Sequence, residues 1–321
     1  MNSTRLIVCC ALSFLFLVPS AFAQVARMEM HAFVSTTISD QQFLSGERGG
    51  TPVILAGELR LPRPGSERFP TVVLVHGSGG VSGGVDSWAR FLNELGVATF
   101  VLDAFTGRGL VTVSADQAKL GRLNMIADAY RALELLSKHP RIDPQRIAVM
   151  GFSRGGQAAL YSSLKRFQRL HLAPALSFAA YVVFYPDCQT TYADGDDVAE
   201  KPIRIYSGAA DDYNPPAACR PYVERLQKAG RDVRLTEYPD AHHVFDSPAT
   251  KVPTQSPQSQ TVRRCRLEEV EGRIINSDTK EVFTYEDPCV ERGPTLGYNE
   301  KAAREVREAV KQFVTATLKV K

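Results

Sequence analysis

The feature of the sequence that most constrains its fold is a single serine between glycines, at the junction of two apolar runs. The stretch reads RIAVMGFSRGGQAALYSSL, residues 146–164. Its first part has the character of a buried strand, and the residues from Gln157 onward have helical spacing. Glycines on both sides let the backbone turn sharply, which pushes the Ser153 hydroxyl outward. We therefore expect a strand, a tight turn bearing Ser153 and a helix; an incidental serine in a glycine-rich turn is the alternative.

Short apolar runs that end in Gly, Asp, Pro or His recur along the chain. They include PTVVLVHGSGG, GVATFVLDAF, FAAYVVFYP, KPIRIYSGAADD and DVRLTEYPDAHH. Candidate helices lie between them, at residues 87–95, 117–138, 157–164, 221–229 and 300–318. Strands that alternate with helices need crossover connections, so we expect a mostly parallel, doubly wound α/β sheet with helices on both faces. Near the start, HAFVSTTI and PVILAGELRLP alternate in the manner of two antiparallel edge strands.

The first 23 residues have the three parts of a secretory signal peptide. Arg5 supplies the positive charge, residues 6–18 the apolar stretch, and the tripeptide 21–23 the small-residue cleavage site. An uncleaved membrane anchor is the alternative, but the apolar stretch is shorter than the roughly 20 residues that a span requires. We therefore expect an exported protein, periplasmic or secreted, whose mature chain begins at Gln24 and has no membrane segment.

Four cysteines follow the signal peptide, and an even number in an exported chain indicates disulfides. Sequence order favours the local pairs Cys188 with Cys219 and Cys265 with Cys289, although four cysteines permit three pairings. The second pair lies within residues 247–296, a stretch that begins rich in Pro, Ser and Gln and interrupts the alternation of strands and helices. We interpret residues 24–321 as one domain with a disulfide-closed insertion at about 247–296.

The charge composition argues against a nucleic-acid or membrane-surface protein. The 321 residues include 38 Lys and Arg and 35 Asp and Glu, which gives a formal net charge of +3. The two signs are interleaved, so no basic stripe or acidic tail is present. A small-molecule partner is favoured, and the sequence implies no metal and no organic cofactor.

A serine hydroxyl needs a base to accept its proton and an acid to orient that base. Two later strand ends supply candidates: Asp211 and Asp212 in YSGAADDYNPP, and His242 and His243 in EYPDAHHVFD. The order Ser, Asp, His along the chain is that of α/β-hydrolases. Within each pair the choice stays open, because a loop aspartate often caps its own turn. Paired histidines as metal ligands are a further alternative, but no third ligand at suitable spacing accompanies them.

Acyl transfer also requires two hydrogen-bond donors for the oxyanion of the tetrahedral intermediate. One candidate is the backbone N–H of Arg154, directly after the serine. The other is the backbone N–H of Ser78 or Gly79, in the glycine-rich loop after TVVLVHG. His76 belongs to the same loop and precedes the serine, so we assign it a structural role.

Together these segments resemble the dienelactone hydrolase family of α/β-hydrolases. The resemblance extends from about residue 57 to residue 318 and rests on VLVHGSGG, VLDAFTGRG, VMGFSRGG, FYPDC, SGAADDYNPPAAC and YPDAHHVFD. It implies that the acid is the first Asp of the G-x-x-D segment, Asp211, and that the base is the His before an apolar residue and Phe, His243. The enzymes that name the family have cysteine in place of Ser153 and a glutamate in the loop that here reads HGSG. These two departures from the family pattern favour an ordinary serine hydrolase and argue against dienelactone as the substrate.

The sequence thus predicts a hydrolase that cleaves a small ester or lactone through an acyl-enzyme on Ser153. Arg108, in a glycine-flanked loop at a strand end, is a candidate substrate contact, and the Arg154 side chain is a second one. A peptidase or an acyltransferase is an alternative on the same fold. A periplasmic binding protein without catalytic activity is another, but the complete set of Ser, Asp and His argues against it.

Overall fold

The computed structural model describes residues 27–47 and 49–320, so the predicted signal peptide lies outside the described residues. The strands are, in chain order, β1 (Arg27–Thr37), β2 (Thr51–Leu61), β3 (Phe69–Val75), β4 (Ala98–Asp103), β5 (Ile142–Phe152), β6 (Tyr181–Phe184), β7 (Thr190–Thr191), β8 (Ile203–Gly208), β9 (Val233–Tyr238), β10 (Thr254–Gln255), β11 (Gln260–Thr261), β12 (Leu267–Val270), β13 (Arg273–Asn276), β14 (Glu291–Arg292) and β15 (Thr295–Leu296). The α-helices are α1 (Asp40–Ser45), α2 (Gly83–Glu94), α3 (Asn124–Leu136), α4 (Arg154–Tyr161), α5 (Lys165–His171), α6 (Cys219–Lys228) and α7 (Glu300–Thr317).

Eight of these strands form one sheet in the order β1-β2-β4-β3-β5-β6-β8-β9. β1 pairs antiparallel with β2, and β2 pairs antiparallel with β4. All later pairs in the sheet are parallel. The sheet therefore confirms the predicted α/β class, with two antiparallel strands at one side. Because the central strands are parallel, their carboxyl ends meet at one edge, where functional groups collect in such folds.

The two faces of the sheet are buried against different helices. Along β3, Val73 and Val75 belong to the apolar cluster that includes α3 and α4, whereas Val72 and Leu74 belong to the cluster that includes α2 and α7. This alternation follows from the period of two in a strand, which sends successive side chains to opposite faces. Every residue of β3 is buried, as expected for a central strand covered on both sides.

Residues 247–296, between β9 and α7, contain six short strands, β10 to β15; we keep the name insertion for this stretch. β12 and β13 make an antiparallel hairpin, and β12 also pairs in parallel with β7. β10 pairs with β15, and β11 with β14. The structure joins Cys265 to Cys289 inside this stretch and Cys188 to Cys219 outside it, which are the two pairs that sequence order favoured. Among the described helices, none has the length and apolar character needed to cross a membrane.

Candidate active site

The nucleophile candidate, Ser153, lies in the turn between β5 and α4 with φ 55° and ψ −116°. Such a conformation is strained for a non-glycine residue, and the surrounding glycines make it possible. A Cβ atom on Gly151 would lie 1.9 Å from the carbonyl oxygen of Gly155, and a Cβ on Gly155 would lie 2.1 Å from the carbonyl oxygen of Val75. The glycines are therefore required because strand and helix backbones cross at contact distance beneath the serine.

Three strand ends bring Ser153, His243 and Asp211 into one hydrogen-bonded chain. His243 Nε2 lies 2.9 Å from Ser153 Oγ, and His243 Nδ1 lies 2.8 Å from Asp211 Oδ2. A carboxylate only accepts, so Nδ1 carries the imidazole proton and Nε2 is left free to accept the serine proton. The other oxygen of Asp211 accepts from the backbone N–H groups of Tyr213 and Asn214, at 2.8 and 2.9 Å. These two bonds fix the direction in which the carboxylate faces the imidazole.

The neighbouring residues of each candidate pair have other contacts. Asp212 Oδ1 accepts from the Thr295 N–H at 2.7 Å and thereby attaches the insertion. His242 Nδ1 lies 3.1 Å from the carbonyl oxygen of Ala210. The geometry thus agrees with the choice of Asp211 and His243 that the resemblance implied.

Two tyrosines enclose the imidazole of His243, and the sequence analysis did not identify either. The Tyr213 ring stacks on it at a centroid distance of 4.5 Å, and the Tyr185 ring lies 4.6 Å away on a tilted plane. The Tyr185 hydroxyl donates to Asp246 Oδ1 at 2.9 Å, and Trp88 Nε1 donates to Asp246 Oδ2 at 2.7 Å. Burial raises the pKa of the Asp246 carboxyl. The sequence could have indicated Tyr185 by its position alone, because this residue directly follows β6 and therefore lies at the same edge of the sheet as Ser153.

The glycine-rich loop after β3 lies against the nucleophile. A Cβ atom on Gly77 would be 3.3 Å from the Cβ of Ser153, and both Ser78 and Gly79 line the pocket. The carbonyl of Ser78 accepts from the Val113 N–H at 2.8 Å, which holds the loop in place. Arg154 begins α4, and the first N–H groups of a helix have no acceptor within it. Ser78 and Gly79 thus line the pocket with Ser153, and Arg154 directly follows the serine at the start of α4, so these three backbone N–H groups remain the candidates for oxyanion donors.

His76 supports this loop from beneath. Its Nε2 accepts from the Ala104 N–H at 3.2 Å, so Nδ1 carries the proton and donates to the Gly77 carbonyl at 2.7 Å. Burial lowers the pKa of His76, although the bond to Gly77 opposes this shift. A neutral imidazole with a hydrogen bond at each ring nitrogen agrees with the structural role predicted for His76.

Arg108 does not contact the pocket, contrary to our expectation. Its side chain is 4% exposed and forms an ion pair with Asp128, with Nη1 2.7 Å from Oδ2. Nε also donates to the Thr37 hydroxyl at 2.8 Å, and Nη1 to the Ala104 carbonyl at 2.7 Å. The Arg108 guanidinium therefore pairs with the buried Asp128 carboxylate inside the fold and does not face the pocket. The sequence pattern of a glycine-flanked loop carried no information about Asp128.

The side chain of Arg154, the second candidate for a substrate contact, is also buried. Its Nη1 donates to Gln117 Oε1 at 2.9 Å, and its Nη2 donates to the Gly121 carbonyl at 3.1 Å. It therefore holds the segment between β4 and α3 against the start of α4. Arg154 also lines a narrow cavity of about 20 Å³ next to Ser153.

The pocket above Ser153 is a small cavity of about 200 Å³. The apolar part of its wall comes from Val85, Phe152, Val244 and Leu296. Leu296 belongs to the insertion, and Gly297, the next residue, donates its N–H to the His243 carbonyl at 3.0 Å. The insertion is therefore part of the pocket wall, a role that its irregular sequence did not indicate.

The arrangement contains the types of group that acyl transfer uses. Asp211, His243 and Ser153 are hydrogen-bonded in sequence, and Ser78 and Gly79 line the same pocket as the Ser153 hydroxyl. One group of described residues is spaced for a metal ion, Glu29 with His31 and His139, and none of the three lines this pocket.

Comparison with known proteins identifies the family. A sequence model of the dienelactone hydrolase family matches residues 58–318. A dienelactone hydrolase-like promiscuous phosphotriesterase from metagenomic libraries has a similar structure, with a TM-score of 0.55, 18% identity, and coverage of 90% of this chain and 98% of that one. An α/β hydrolase enzyme from a Medee basin deep-sea metagenome library has a TM-score of 0.52 and 16% identity, with coverage of 90% of this chain and 98% of that one. Esterase 2 of Thermogutta terrifontis, phosphoramylated by tabun, has a TM-score of 0.53 and 16% identity, with coverage of 89% of this chain and 94% of that one.

These structural likenesses, all at low identity, show the α/β-hydrolase fold. The family match covers most of the chain, including every strand end that contributes to the pocket. The chain therefore belongs to the dienelactone hydrolase family and is a carboxylic ester hydrolase.

Proposed function

We propose that the protein is a serine esterase that cleaves small carboxylic esters or lactones through a covalent acyl-enzyme on Ser153. The observation that carries the proposal is the continuous chain from Asp211 Oδ2 to His243 Nδ1 and from His243 Nε2 to Ser153 Oγ, at 2.8 and 2.9 Å. The serine is at the floor of an open pocket, where an ester carbonyl can approach it. This geometry matches that required of a nucleophile and its general base.

In the acylation step, Ser153 Oγ bonds to the ester carbonyl carbon while His243 Nε2 takes the hydroxyl proton. The negative charge that develops on the carbonyl oxygen is stabilised by the N–H of Arg154 together with that of Ser78 or Gly79. The C–O bond to the alcohol then breaks, and His243 returns its proton to the leaving oxygen. A water molecule, activated by the same imidazole, attacks the acyl-enzyme and regenerates Ser153. Asp211 stabilises the imidazolium in both steps.

The size of the pocket supports a small substrate. A cavity of about 200 Å³ is below the usual size of pockets for drug-sized ligands, roughly 300–1,000 Å³. Its apolar wall suits a short acyl or alcohol group, and no arginine of the described chain lines it. We therefore expect short-chain esters to be better substrates than long-chain esters or strongly acidic ones.

A fluorophosphonate probe and a panel of p-nitrophenyl esters test the proposal. The wild type should be labelled once per chain, and Ser153→Ala should not be labelled. Hydrolysis should be fastest for the shortest acyl chains and much slower for a peptide amide of matched size. Labelling of Ser153→Ala would refute the assignment of the nucleophile. Faster cleavage of the amide, or acyl transfer to an added alcohol in preference to water, would indicate the peptidase or the acyltransferase instead.

We also propose that the chain is exported and that its signal peptide is removed before Gln24. The two disulfides support this, since such bonds persist in oxidising compartments. N-terminal sequencing of the protein from a periplasmic or secreted fraction should begin at Gln24. Recovery of the intact N-terminus in a membrane fraction would contradict the proposal.

A further inference from the structure

Glu29 and His31, on the edge strand β1, lie close to His139, in the turn before β5, and each of the three offers one ligand atom within 4.8 Å of the others. We infer that these three residues form a binding site for one divalent transition-metal ion, with Zn²⁺ as the most suitable ion. The inference does not depend on the proposed esterase activity, because none of the three residues lines the pocket above Ser153.

The fold places the three side chains without help from a metal. Glu29 and His31 are two residues apart on β1, so both side chains project from the same face of the strand. His139 lies in the turn between α3 and β5, where its N–H donates to the Leu136 carbonyl at 3.0 Å and its carbonyl accepts from the Ile142 N–H at 3.2 Å. Two ligands on a strand and a third on a fixed turn form a preorganised site.

Two of the three distances between the ligand atoms are close to those around a tetrahedral ion. Glu29 Oε2 lies 2.9 Å from His31 Nε2 and 3.2 Å from His139 Nε2. Zinc bonds to nitrogen and oxygen of about 2.0–2.2 Å place neighbouring tetrahedral ligand atoms about 3.3 Å apart. These two distances would therefore change by only a few tenths of an ångström when an ion binds, and the two imidazole nitrogens lie within 4.8 Å of each other.

The charge and the chemistry of the ligands also favour a transition metal. The Glu29 carboxylate accepts hydrogen bonds from both histidines through Oε2, so one carboxylate oxygen already faces the two imidazole nitrogens. Arg27 Nε contacts the other oxygen, Oε1, at 2.7 Å and leaves Oε2 to the histidines. Imidazole is a preferred ligand of Zn²⁺, Cu²⁺ and Ni²⁺ and a poor one for Mg²⁺ and Ca²⁺.

The site is open enough for an ion to enter and to keep solvent ligands. The side chains of His139, Glu29 and His31 are 12%, 16% and 24% exposed. Three protein ligands and one open position are the arrangement in which zinc retains a bound water.

Binding has a cost that the structure also shows. Without the ion, both Nε2 atoms donate to Glu29, and His139 Nδ1 accepts from the Arg141 N–H at 3.2 Å. An ion on Nε2 requires the neutral imidazole to carry its proton on Nδ1, so this bond to Arg141 must break. We therefore expect a reversible site of moderate affinity, weaker than a closed structural zinc site.

Titration calorimetry with ZnSO₄, on protein first treated with a chelator, tests the inference. The wild type should take up one Zn²⁺ per chain and show a higher Tm, since the ion binds the folded state preferentially. Cobalt should give the visible absorption of a tetrahedral site at the same stoichiometry. Glu29→Gln, His31→Ala and His139→Ala should each weaken binding by at least about tenfold.

Two control variants separate this site from other histidines. His171→Ala removes a ring that stacks on Phe43 at 4.0 Å, and His243→Ala removes the imidazole of the pocket. Both should bind Zn²⁺ as the wild type does, and circular dichroism should verify that all variants are folded. Absence of saturable uptake up to about 1 mM Zn²⁺ would overturn the inference and leave a hydrogen-bonded cluster only. Equal affinity in wild type and His31→Ala would overturn it as well.

Discussion

Asp212 and Thr295 are joined by two hydrogen bonds, in which Asp212 Oδ1 accepts from the Thr295 N–H at 2.7 Å and Oδ2 accepts from its hydroxyl at 3.2 Å. Thr295 is at the end of the insertion, one residue before the pocket-lining Leu296. Arg263, also in the insertion, donates from Nη1 to the Asp212 carbonyl at 2.7 Å. Two adjacent aspartates thus have separate partners: Asp211 contacts the imidazole, and Asp212 attaches the insertion to the same loop.

These separate contacts predict that the same substitution will lower activity at Asp211 and stability at Asp212. Asp211→Asn should lower kcat on the order of ten-thousandfold, because an amide no longer holds the imidazole in the tautomer that accepts the serine proton. Asp212→Asn should leave kcat within about threefold and lower the Tm, because it loses charge-assisted bonds to the insertion. Ester hydrolysis and thermal unfolding of both variants check this. A severe loss of kcat in Asp212→Asn alone would reverse the assignment.

Ser153 and His243 should behave as one catalytic unit. Ser153→Ala and His243→Ala should each lower kcat by about a thousandfold or more, and the double variant should fall little further, since removal of either partner already abolishes the shared proton transfer. His242→Ala is the matched control and should retain activity, because its Nδ1 faces the Ala210 carbonyl. Steady-state kinetics on one short ester measure all four proteins. Additive losses, or a crippled His242→Ala, would contradict the prediction.

The wall residue Leu296 should limit the length of the acyl chain. Leu296→Ala enlarges a cavity of about 200 Å³, so the ratio of kcat/KM for a hexanoate ester to that for an acetate ester should rise by about tenfold or more. Val252→Ala is the control, because Val252 is in the insertion but is 71% exposed and does not line the pocket. The experiment compares both ratios across a p-nitrophenyl ester series. An unchanged ratio in Leu296→Ala would show that Leu296 contacts the alcohol group of the ester, or that another part of the pocket wall limits the length of the acyl chain.

The parts of the site that the sequence predicted are those fixed by local backbone chemistry. Gly151 and Gly155 flank Ser153 because the strand and helix backbones meet there, and that requirement is visible as a motif. The parallel sheet followed from the periodicity of apolar residues, and the sheet edge then grouped the loops after β5, β8 and β9.

What the sequence did not reveal depends on contacts between distant segments. Arg108 is paired with Asp128 and Tyr185 with Asp246, over separations that no local pattern encodes. The insertion is a similar case, because its short strands gain stability from Asp212 and from β7 and have little regular pattern of their own. The fold was therefore predictable from the sequence, whereas the pocket wall was not.

His76 should contribute to a loss of stability in mild acid. Burial lowers its pKa below the ordinary value of 6.5, so below about that pH the unfolded chain binds a proton that the folded chain does not. The free energy of unfolding should therefore fall as the pH decreases from 6.5 toward the lowered pKa, with a contribution from His76 of up to about 1.4 kcal/mol per pH unit. Urea unfolding at a series of pH values measures this slope. The slope should be flatter in His76→Gln, and an identical slope would show that other groups account for it.

The last prediction compares the two disulfides. Cys188–Cys219 and Cys265–Cys289 close chain segments of similar length, with sequence separations of 31 and 24. Loop-closure entropy alone assigns each bond roughly 3 to 4 kcal/mol of stabilisation. The double variants Cys188→Ala/Cys219→Ala and Cys265→Ala/Cys289→Ala should both lower the Tm, and by similar amounts, because the two disulfides close loops of similar length.

Only the first pair should also lower kcat. Cys219 follows the acid-bearing loop, and Cys188 follows the segment of Tyr185, whose ring packs on His243. Asn214 already links these segments, since its Nδ2 donates to the Tyr185 carbonyl at 2.9 Å while its N–H donates to Asp211. Without the disulfide, both supports of the imidazole gain freedom, and a displacement of a fraction of an ångström is expected to cost about tenfold or more in kcat. Cys265–Cys289 joins two residues of the insertion and belongs to neither of these segments, so kcat of that variant should stay within about threefold. Kinetics at a temperature well below both Tm values separate the two effects, and equal losses of kcat would show that the first disulfide has no special relation to the site.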